Sequence, residues 1–159
     1  FAGPLEIDYG IEPSPSMARM AKSRGICMAE AVAERLPFED AEFDLVLMVA
    51  VICFLEDVSA AFEEARRVLK NGGHFVAGVL DRETELGREY ESKSDGNEFY
   101  RAAHFRSSEE VLAGLDLAGF TGPESVQTVF PESGETGGEE PVEPGHGRGL
   151  FAVIRVRKA

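Results

Sequence analysis

Residues 43–50 constrain the fold more than any other part of this sequence, because they form an apolar run that only Asp44 interrupts. A strand that is apolar on both faces is typical of a parallel sheet that helices cover on both sides. We therefore predict a buried, central strand here. In sheets of this kind, ligands bind beyond the carboxyl ends of the strands. The residues that follow Leu47 are accordingly expected to face a ligand.

Two shorter strands are predicted upstream of this run. Residues 7–12 form the first, and residues 26–29 form the second. Between them, Ser14 is a favourable N-cap and Pro15 suits the first position of a helix. The pattern therefore predicts a strand, a helix and a second strand ahead of the apolar run.

A helix and another strand are predicted downstream of the run. Asp57 is expected to cap the helix, and Glu63 and Arg67 are expected to form an ion pair at i,i+4 spacing on its outer face. Residues 74–80 form the next apolar strand. A strand, a helix and a strand joined by short turns form a right-handed parallel unit.

The C-terminal part of the chain predicts one helix and two strands. Ser107 and Glu110 have the spacing of a capping box that opens the helix, and Gly119 is expected to end it. Residues 124–130 and 150–157 are predicted to form two antiparallel strands.

Two segments differ in composition from these elements. Residues 81–106 are rich in charged and aromatic side chains and are predicted to form a lid over an acceptor site. Residues 131–149 are rich in Gly, Pro and Glu and are predicted to form a flexible loop. No internal repeat is evident, so one domain over residues 1–159 is expected.

Charge and cysteine usage limit the classes of partner. The formal net charge of −13 would repel a phosphate polymer or an anionic bilayer, so no nucleic-acid or membrane partner is expected. Cys27 and Cys53 make neither a disulfide framework nor a zinc site, and a reducing cytoplasm is the simplest location. The three histidines are scattered without the spacing of metal ligands, and no metal site is predicted.

Five motifs occur in an order and at spacings that resemble those of a class I S-adenosylmethionine-dependent methyltransferase. Within that class, the sequence resembles the type 11 methyltransferases. The motifs are Gly10-Ile11-Glu12-Pro13-Ser14 with Met17, Ala33-Glu34-x-Leu36-Pro37-Phe38, Phe43-Asp44-Leu45-Val46-Leu47, Ala65-Arg66-Arg67-Val68-Leu69-Lys70-x-Gly72-Gly73, and Ala118-Gly119-Phe120. The resemblance implies an α/β fold: a Rossmann-like, doubly wound, mostly parallel sheet with an antiparallel C-terminal strand pair, in three αβα layers.

One part of the family pattern has no counterpart here, namely the first strand and the glycine-rich loop that follows it. That loop lets the backbone approach the methionine part of the cofactor. The missing strand would lie beside the run over residues 43–50. We therefore expect the domain to be N-terminally incomplete in residues 1–159.

The resemblance also implies a cofactor site for S-adenosylmethionine. Glu12 stands where a carboxylate can accept hydrogen bonds from both ribose hydroxyls, although a surface glutamate before a proline turn is the alternative. Val32 occupies a position where many relatives carry an aspartate that binds the adenine amino group. The predicted cofactor-binding residues are Glu12, Pro13, Val32, Ala33, Glu34, Met48 and Ala50.

A small-molecule methyl acceptor, with amines among the candidates, is expected to bind beyond the apolar run. The residues predicted to contact it are Val49, Cys53, Tyr90, Tyr100 and His104. Cys53 could equally be a buried small hydrophobe, and His104 an ordinary loop residue. No catalytic residue is predicted, because methyl transfer is an in-line displacement that needs alignment of the substrates and exclusion of water.

Two other functions are compatible with parts of the pattern. A non-catalytic binding or regulatory module that keeps the methyltransferase fold would explain Val32 and the missing loop. A dinucleotide-dependent oxidoreductase would share an acid at the end of a strand. The two predicted antiparallel strands after Gly119 disfavour the oxidoreductase. The sequence predicts neither the acceptor's identity nor the oligomeric state.

Overall fold

The computed structural model describes residues 3–93, 101–131 and 140–159. Helices and strands alternate through most of this part of the chain, as expected for an α/β fold. The elements are β1 (Tyr9–Ile11), α1 (Pro15–Lys22), β2 (Cys27–Ala29), β3 (Phe43–Val49), a 3-10 turn (Ile52–Phe54), α2 (Val58–Val68), β4 (Leu69–Leu80), α3 (Glu85–Ser92), α4 (Ser108–Leu117), β5 (Phe120–Thr128), β6 (Glu143–Pro144) and β7 (Phe151–Lys158).

The described strands form two sheets. β1 and β2 pair in parallel, and the other five strands form a mixed sheet in the order β3-β4-β7-β5-β6. β3 and β4 are parallel, whereas β7 runs antiparallel to both β4 and β5. The α/β fold, the parallel β3–α2–β4 unit and the antiparallel C-terminal strand pair are thereby confirmed.

The position of β3 differs from the prediction. β3 lies at one edge of the five-stranded sheet, and Met48 is its one buried residue. β4 pairs along one side of β3, and no described strand pairs along the other. The prediction of a central strand covered on both faces is therefore wrong for the part of the chain that the structure describes.

Local capping signals determine where the helices begin. The Asp57 carboxylate accepts a hydrogen bond from the Ala60 N–H at 3.0 Å, and α2 starts at the next residue after Asp57. Ser107 and Glu110 form a reciprocal capping box at the start of α4. Gly119, with a φ of 85°, follows that helix. These three predictions are confirmed.

Two strands begin earlier than their apolar periodicity predicts. β4 starts at Leu69 and runs through the glycines at 72 and 73, with a register shift against β3 near Phe43. β5 starts at Phe120, and its pairing with β7 shifts between Thr121 and Glu124, around Gly122. Irregular pairing of this kind breaks the two-residue alternation that the prediction depended on.

The hydrophobic core lies between the five-stranded sheet and two helices. Phe62 of α2 and Leu115 of α4 are fully buried, together with Phe75 of β4 and Ile154 of β7. The Phe62 and Phe75 rings meet edge to face with centroids 5.7 Å apart. None of the helices in the described ranges is long and apolar enough to cross a membrane.

Arg67 forms a different ion pair from the one predicted. Its guanidinium binds both carboxylate oxygens of Glu64, at 2.6 and 2.9 Å, rather than Glu63. The same group donates to the Phe38 carbonyl at 2.8 Å and to Asp40 at 2.8 Å. Arg67 turns toward the loop before β3 because that loop offers it carbonyl and carboxylate acceptors.

Glu64 makes the stability of the fold depend on pH. The hydrogen bond from Arg67 is the main cause that lowers the pKa of Glu64, and the Leu36 N–H, at 2.7 Å, adds to it. A carboxylate with a depressed pKa stabilises the fold above its unfolded-state pKa, and that stabilisation is lost as the pH falls through the folded-state pKa.

Glu64→Gln is therefore expected to flatten the dependence of the free energy of unfolding on pH in the acid range. Urea titrations at a series of pH values between neutral and acid would measure it. Glu63→Gln, which removes an exposed carboxylate outside this network, is the control and should keep the wild-type slope. Equal flattening in both variants would contradict the assignment.

Candidate functional site

An inter-sheet cleft separates β1 from β3. Its volume is about 360 Å³, and it runs along both strands. Tyr9 and Ile11 line it on the β1 side, and Leu45, Leu47 and Met48 line it on the β3 side. The lining is almost entirely apolar.

The shape and lining of the inter-sheet cleft suit a β-strand better than a polar ligand. β1 pairs only with β2, and β3 pairs only with β4, among the strands that the structure describes. Neighbouring strands in a sheet lie about 4.8 Å apart, so one strand between β1 and β3 would pair with both. A nucleoside would instead meet few polar partners along the length of this cleft.

Glu12 lies at the carboxyl end of β1, directly after Ile11. The Glu12 N–H donates to the Ala29 carbonyl of β2 at 3.1 Å, which fixes the backbone. The Glu12 Oε1 accepts a hydrogen bond from the Ser14 N–H at 2.9 Å, which orients the half-buried carboxylate. Since a carboxylate has about four acceptor positions, this bond leaves capacity for two ribose hydroxyls.

The predicted cofactor residues Val32, Ala33 and Glu34 have different surroundings. Ala33 is buried and lines the carboxyl end of the inter-sheet cleft. Val32 is 47% exposed. The Glu34 carboxylate accepts hydrogen bonds from Glu56 N–H at 3.1 Å and Asp57 N–H at 3.4 Å, so it supports the start of α2.

The remaining predicted cofactor residues follow β1 and β3. Met48 is buried and lines the inter-sheet cleft with Ala33. Ala50 has a φ of 53°, a backbone conformation that is uncommon for a residue other than glycine, and its N–H donates to the Gly78 carbonyl at 2.9 Å. Pro13 is exposed next to Glu12.

The side chains at the carboxyl ends of β1 and β3 fit an adenosine-containing cofactor in part. Ala33 and Met48 supply apolar contact, and Glu12, which follows Ile11 in the chain, supplies an oriented acceptor. One oxygen of the Glu34 carboxylate is engaged by the start of α2. At Val32, an aliphatic side chain offers no hydrogen bond to an adenine amino group.

The residues predicted to contact the acceptor are spread over three elements. Val49 ends β3, and Cys53 is buried in the 3-10 turn, where burial raises the pKa of its thiol. A thiol in this state is a poor nucleophile, which favours the structural role. The His104 N–H donates to the Cys53 carbonyl at 2.7 Å, while the His104 side chain is exposed. Tyr90 is 43% exposed on α3, and Tyr100 lies outside the described residues.

Sequence reasoning missed Arg106, which lines a smaller cavity together with Ala50 and Cys53. No spacing rule singles out an arginine that directly precedes a helix cap. The signal that could have found it is its place between the buried Phe105 and Ser107, where a long charged side chain needs a partner. The described residues contain no group of His, Cys, Asp or Glu side chains that could hold a metal ion.

Comparison with known proteins identifies the fold family. The family model described as "Methyltransferase domain" matches residues 5–77. The chain is similar to a solved structure from Thermotoga maritima (TM1293), a SAM-dependent methyltransferase described as a possible histamine N-methyltransferase. The identity is 45%, the TM-score is 0.94, and the match covers 100% of this chain and 76% of that one.

The curated relatives are longer than the segments that they share with this chain. The protein MJ1123 of Methanocaldococcus jannaschii is 40% identical over 158 residues, which are 99% of this chain and 77% of that protein. Rv2003c of Mycobacterium tuberculosis is 37% identical over 121 residues, which are 76% of this chain and 42% of that protein. The shared motifs, the fold and these similarities together show that the chain belongs to the family of S-adenosylmethionine-dependent methyltransferases and that S-adenosylmethionine is the cofactor.

Proposed function

We propose that this protein transfers a methyl group from S-adenosylmethionine to a small-molecule amine. The observation that carries the proposal is the Glu12 carboxylate, which Ser14 N–H orients at the carboxyl end of β1, where Ala33 and Met48 border the inter-sheet cleft. Chemistry in α/β sheets occurs at this edge, and an acid after a strand is a common device for binding ribose.

The cofactor-binding roles follow from these surroundings. Glu12 accepts the two ribose hydroxyls, and Pro13 packs against the adenosine beside it. Ala33 and Met48 exclude water from the apolar side, with Val32 and Ala50 at the margins of the site. Glu34 acts indirectly, since its carboxylate holds the start of α2.

A small amine as acceptor is supported by charge and by similarity. The net charge of −13 favours a cationic ligand over an anionic polymer, and the similar protein from Thermotoga maritima is described as a possible histamine N-methyltransferase. In this assignment Val49, Cys53, Tyr90 and His104 border the acceptor.

The reaction requires little chemistry from the protein's side chains. When bound, S-adenosylmethionine supplies a methyl group whose carbon leaves sulfur with the bonding electron pair remaining on the sulfur. The amine must be neutral to attack, so its proton passes to solvent before the new bond to carbon forms. The protein aligns the two groups and excludes water.

We further infer that the inter-sheet cleft takes up one additional parallel strand between β1 and β3. The support is the pair of facing strand edges on β1 and β3 and the apolar lining between them. Such a strand would join the two sheets, and the turn after it would reach the cofactor at the carboxyl edge.

Calorimetric titration of the full-length protein with S-adenosylhomocysteine tests the cofactor site. We expect saturable binding, and slow exchange of the β3 amide protons that face the inter-sheet cleft. No heat at high micromolar ligand would overturn the cofactor site. Fast exchange of those amide protons would overturn the additional strand.

Methyl transfer itself is tested with labelled S-adenosylmethionine and a panel of small amines that includes histamine and amino acids. Labelled product with at least one amine supports the proposed acceptor class. Binding of S-adenosylhomocysteine without transfer to any amine would reject that class and favour the non-catalytic binding module, which Val32 at the adenine position also suits.

A further inference from the structure

A second, much smaller cavity lies at the carboxyl ends of β3 and β4. Its volume is about 10 Å³. Ala50 and Cys53 line it after β3, Gly78 and Leu80 line it at the end of β4, and Arg106 lines it from the segment before α4. The cavity therefore lies between the predicted cofactor residue Ala50 and the segment assigned to the acceptor.

The backbone of Arg106 is fixed on both sides. Its carbonyl accepts a hydrogen bond from the Arg82 N–H at 3.3 Å, and residues 81 and 106 form an isolated parallel bridge. Phe105 before it is buried, and Ser107 after it is the N-cap of α4. A side chain carried on such a backbone reaches the cavity from a defined position.

The Arg106 side chain carries one buried donor that no described residue satisfies. Its Nε is buried and has no hydrogen-bond acceptor among the residues that the structure describes. Leaving a buried N–H without an acceptor is unfavourable, and a guanidinium cannot lose its proton to escape that penalty. Nearby, Arg82 pairs with Glu110 at 2.8 Å.

No described carboxylate satisfies this buried donor, although the chain has 29 acidic residues against 16 basic ones. Within the described ranges no Asp or Glu forms an ion pair with Arg106, although acidic side chains outnumber basic ones on the molecule as a whole. An arginine at the carboxyl edge of the sheet whose buried Nε–H has no acceptor among the described residues is available to an anionic ligand.

The cavity limits what such a ligand can place there. The cavity has room for about one water molecule, so it holds one oxygen atom rather than a whole anionic group. A carboxylate oxygen is among the strongest acceptors for a guanidinium N–H, and the apolar lining strengthens the bond by keeping water out.

We propose that Arg106 binds a carboxylate of the methyl acceptor through its buried Nε–H, so that the acceptor is an amine that also carries a carboxylate. This inference rests on the proposed methyl transfer to an amine and narrows it. It selects amino-acid-like acceptors over simple amines. Arg106 acts as a binding residue for the acceptor and takes no part in bond breaking.

Side-chain NMR of the full-length protein tests the proposal with acetate as the probe. The Nε–H resonance of Arg106, assigned through its bonded neighbours, is followed during titration with acetate and, separately, with the neutral isostere acetamide. We expect a saturable shift with acetate and none with acetamide. Arg155, which pairs with Glu124 on β7 and β5, supplies the control resonance and should not move.

Three results would overturn the proposal. They are no saturable shift with acetate, equal shifts with acetate and acetamide, and an equal shift of Arg155. Each would mean that the cavity holds only water or that acetate acts through ionic strength.

In a second measurement, Arg106→Lys should weaken acetate binding about ten-fold, because a lysine lacks the Nε–H donor. The Gly78 amide resonance reports the binding.

The same sample separates this inference from the proposed function. Titration with S-adenosylhomocysteine reports on the cofactor site through the amide resonances of residues near Glu12. If acetate shifts the Arg106 Nε–H resonance while S-adenosylhomocysteine does not bind, the carboxylate site is supported and the proposed methyl transfer is rejected. If S-adenosylhomocysteine binds while acetate leaves that resonance unchanged, the cofactor site is supported and the carboxylate site is rejected.

Discussion

Glu12→Gln is expected to weaken the binding of S-adenosylhomocysteine by about ten- to one-hundred-fold, because a hydrogen bond to a charged acceptor contributes about 1.5–3 kcal/mol. The glutamine amide oxygen can still accept from the Ser14 N–H, so the turn after β1 should survive. What is lost is the second strong acceptor for the ribose. Calorimetric titration of the full-length protein measures the effect.

Glu39→Gln is the matched control for this experiment. Glu39 is an exposed carboxylate in the loop before β3, and its removal changes the net charge by the same amount. We expect this control to bind the ligand with wild-type affinity. Equal weakening in both variants would attribute the effect to net charge and remove Glu12 from the cofactor site.

Phe62→Ala is expected to lower the free energy of unfolding by about 3–5 kcal/mol, the range for truncating a buried phenylalanine. Phe62 is 0% exposed and packs edge to face on Phe75. Its ring also faces α4, since a Cβ added at Gly114 would lie 3.0 Å from a Phe62 ring carbon. The two helices and the sheet would therefore share the resulting cavity. Urea denaturation followed by far-UV circular dichroism measures the loss.

Leu117→Ala provides the comparison on the neighbouring helix. Leu117 is 89% exposed near the end of α4, so its truncation should change the free energy of unfolding by less than about 0.5 kcal/mol. A loss below about 1 kcal/mol for Phe62→Ala would show that Phe62 is not part of a tightly packed core.

The sequence predicts those parts of the fold that short-range chemistry determines. Asp57 and Ser107 each cap a helix because a side-chain oxygen meets an N–H three residues further on. These features need no knowledge of what the rest of the chain does.

Features that depend on distant partners were predicted less well. Helical spacing alone pairs Arg67 with Glu63, but acceptors at Phe38 and Asp40 draw the guanidinium to the other side. The apolar run of β3 predicts a covered strand, yet its burial depends on a neighbour that no described segment supplies.

In the candidate site, too, residues in a local pattern were easier to predict than residues whose contacts are distant in sequence. Ala33 and Met48, predicted from the family pattern, do line one cleft. Glu34, predicted to bind the cofactor, also accepts hydrogen bonds from the start of α2, a contact across more than twenty residues that the local pattern does not encode. Arg106 was missed because its significance arises only where the ends of β3 and β4 meet the start of α4.

The facing edges of β1 and β3 also bear on how the 159-residue chain behaves in solution. An unpaired strand edge is a template for a strand from another molecule, and an apolar surround favours such pairing. The net charge of −13 opposes it by mutual repulsion between copies. Because salt screens that repulsion and acid removes it, colloidal stability at high concentration should depend on low ionic strength and on a pH well above that of carboxylate titration.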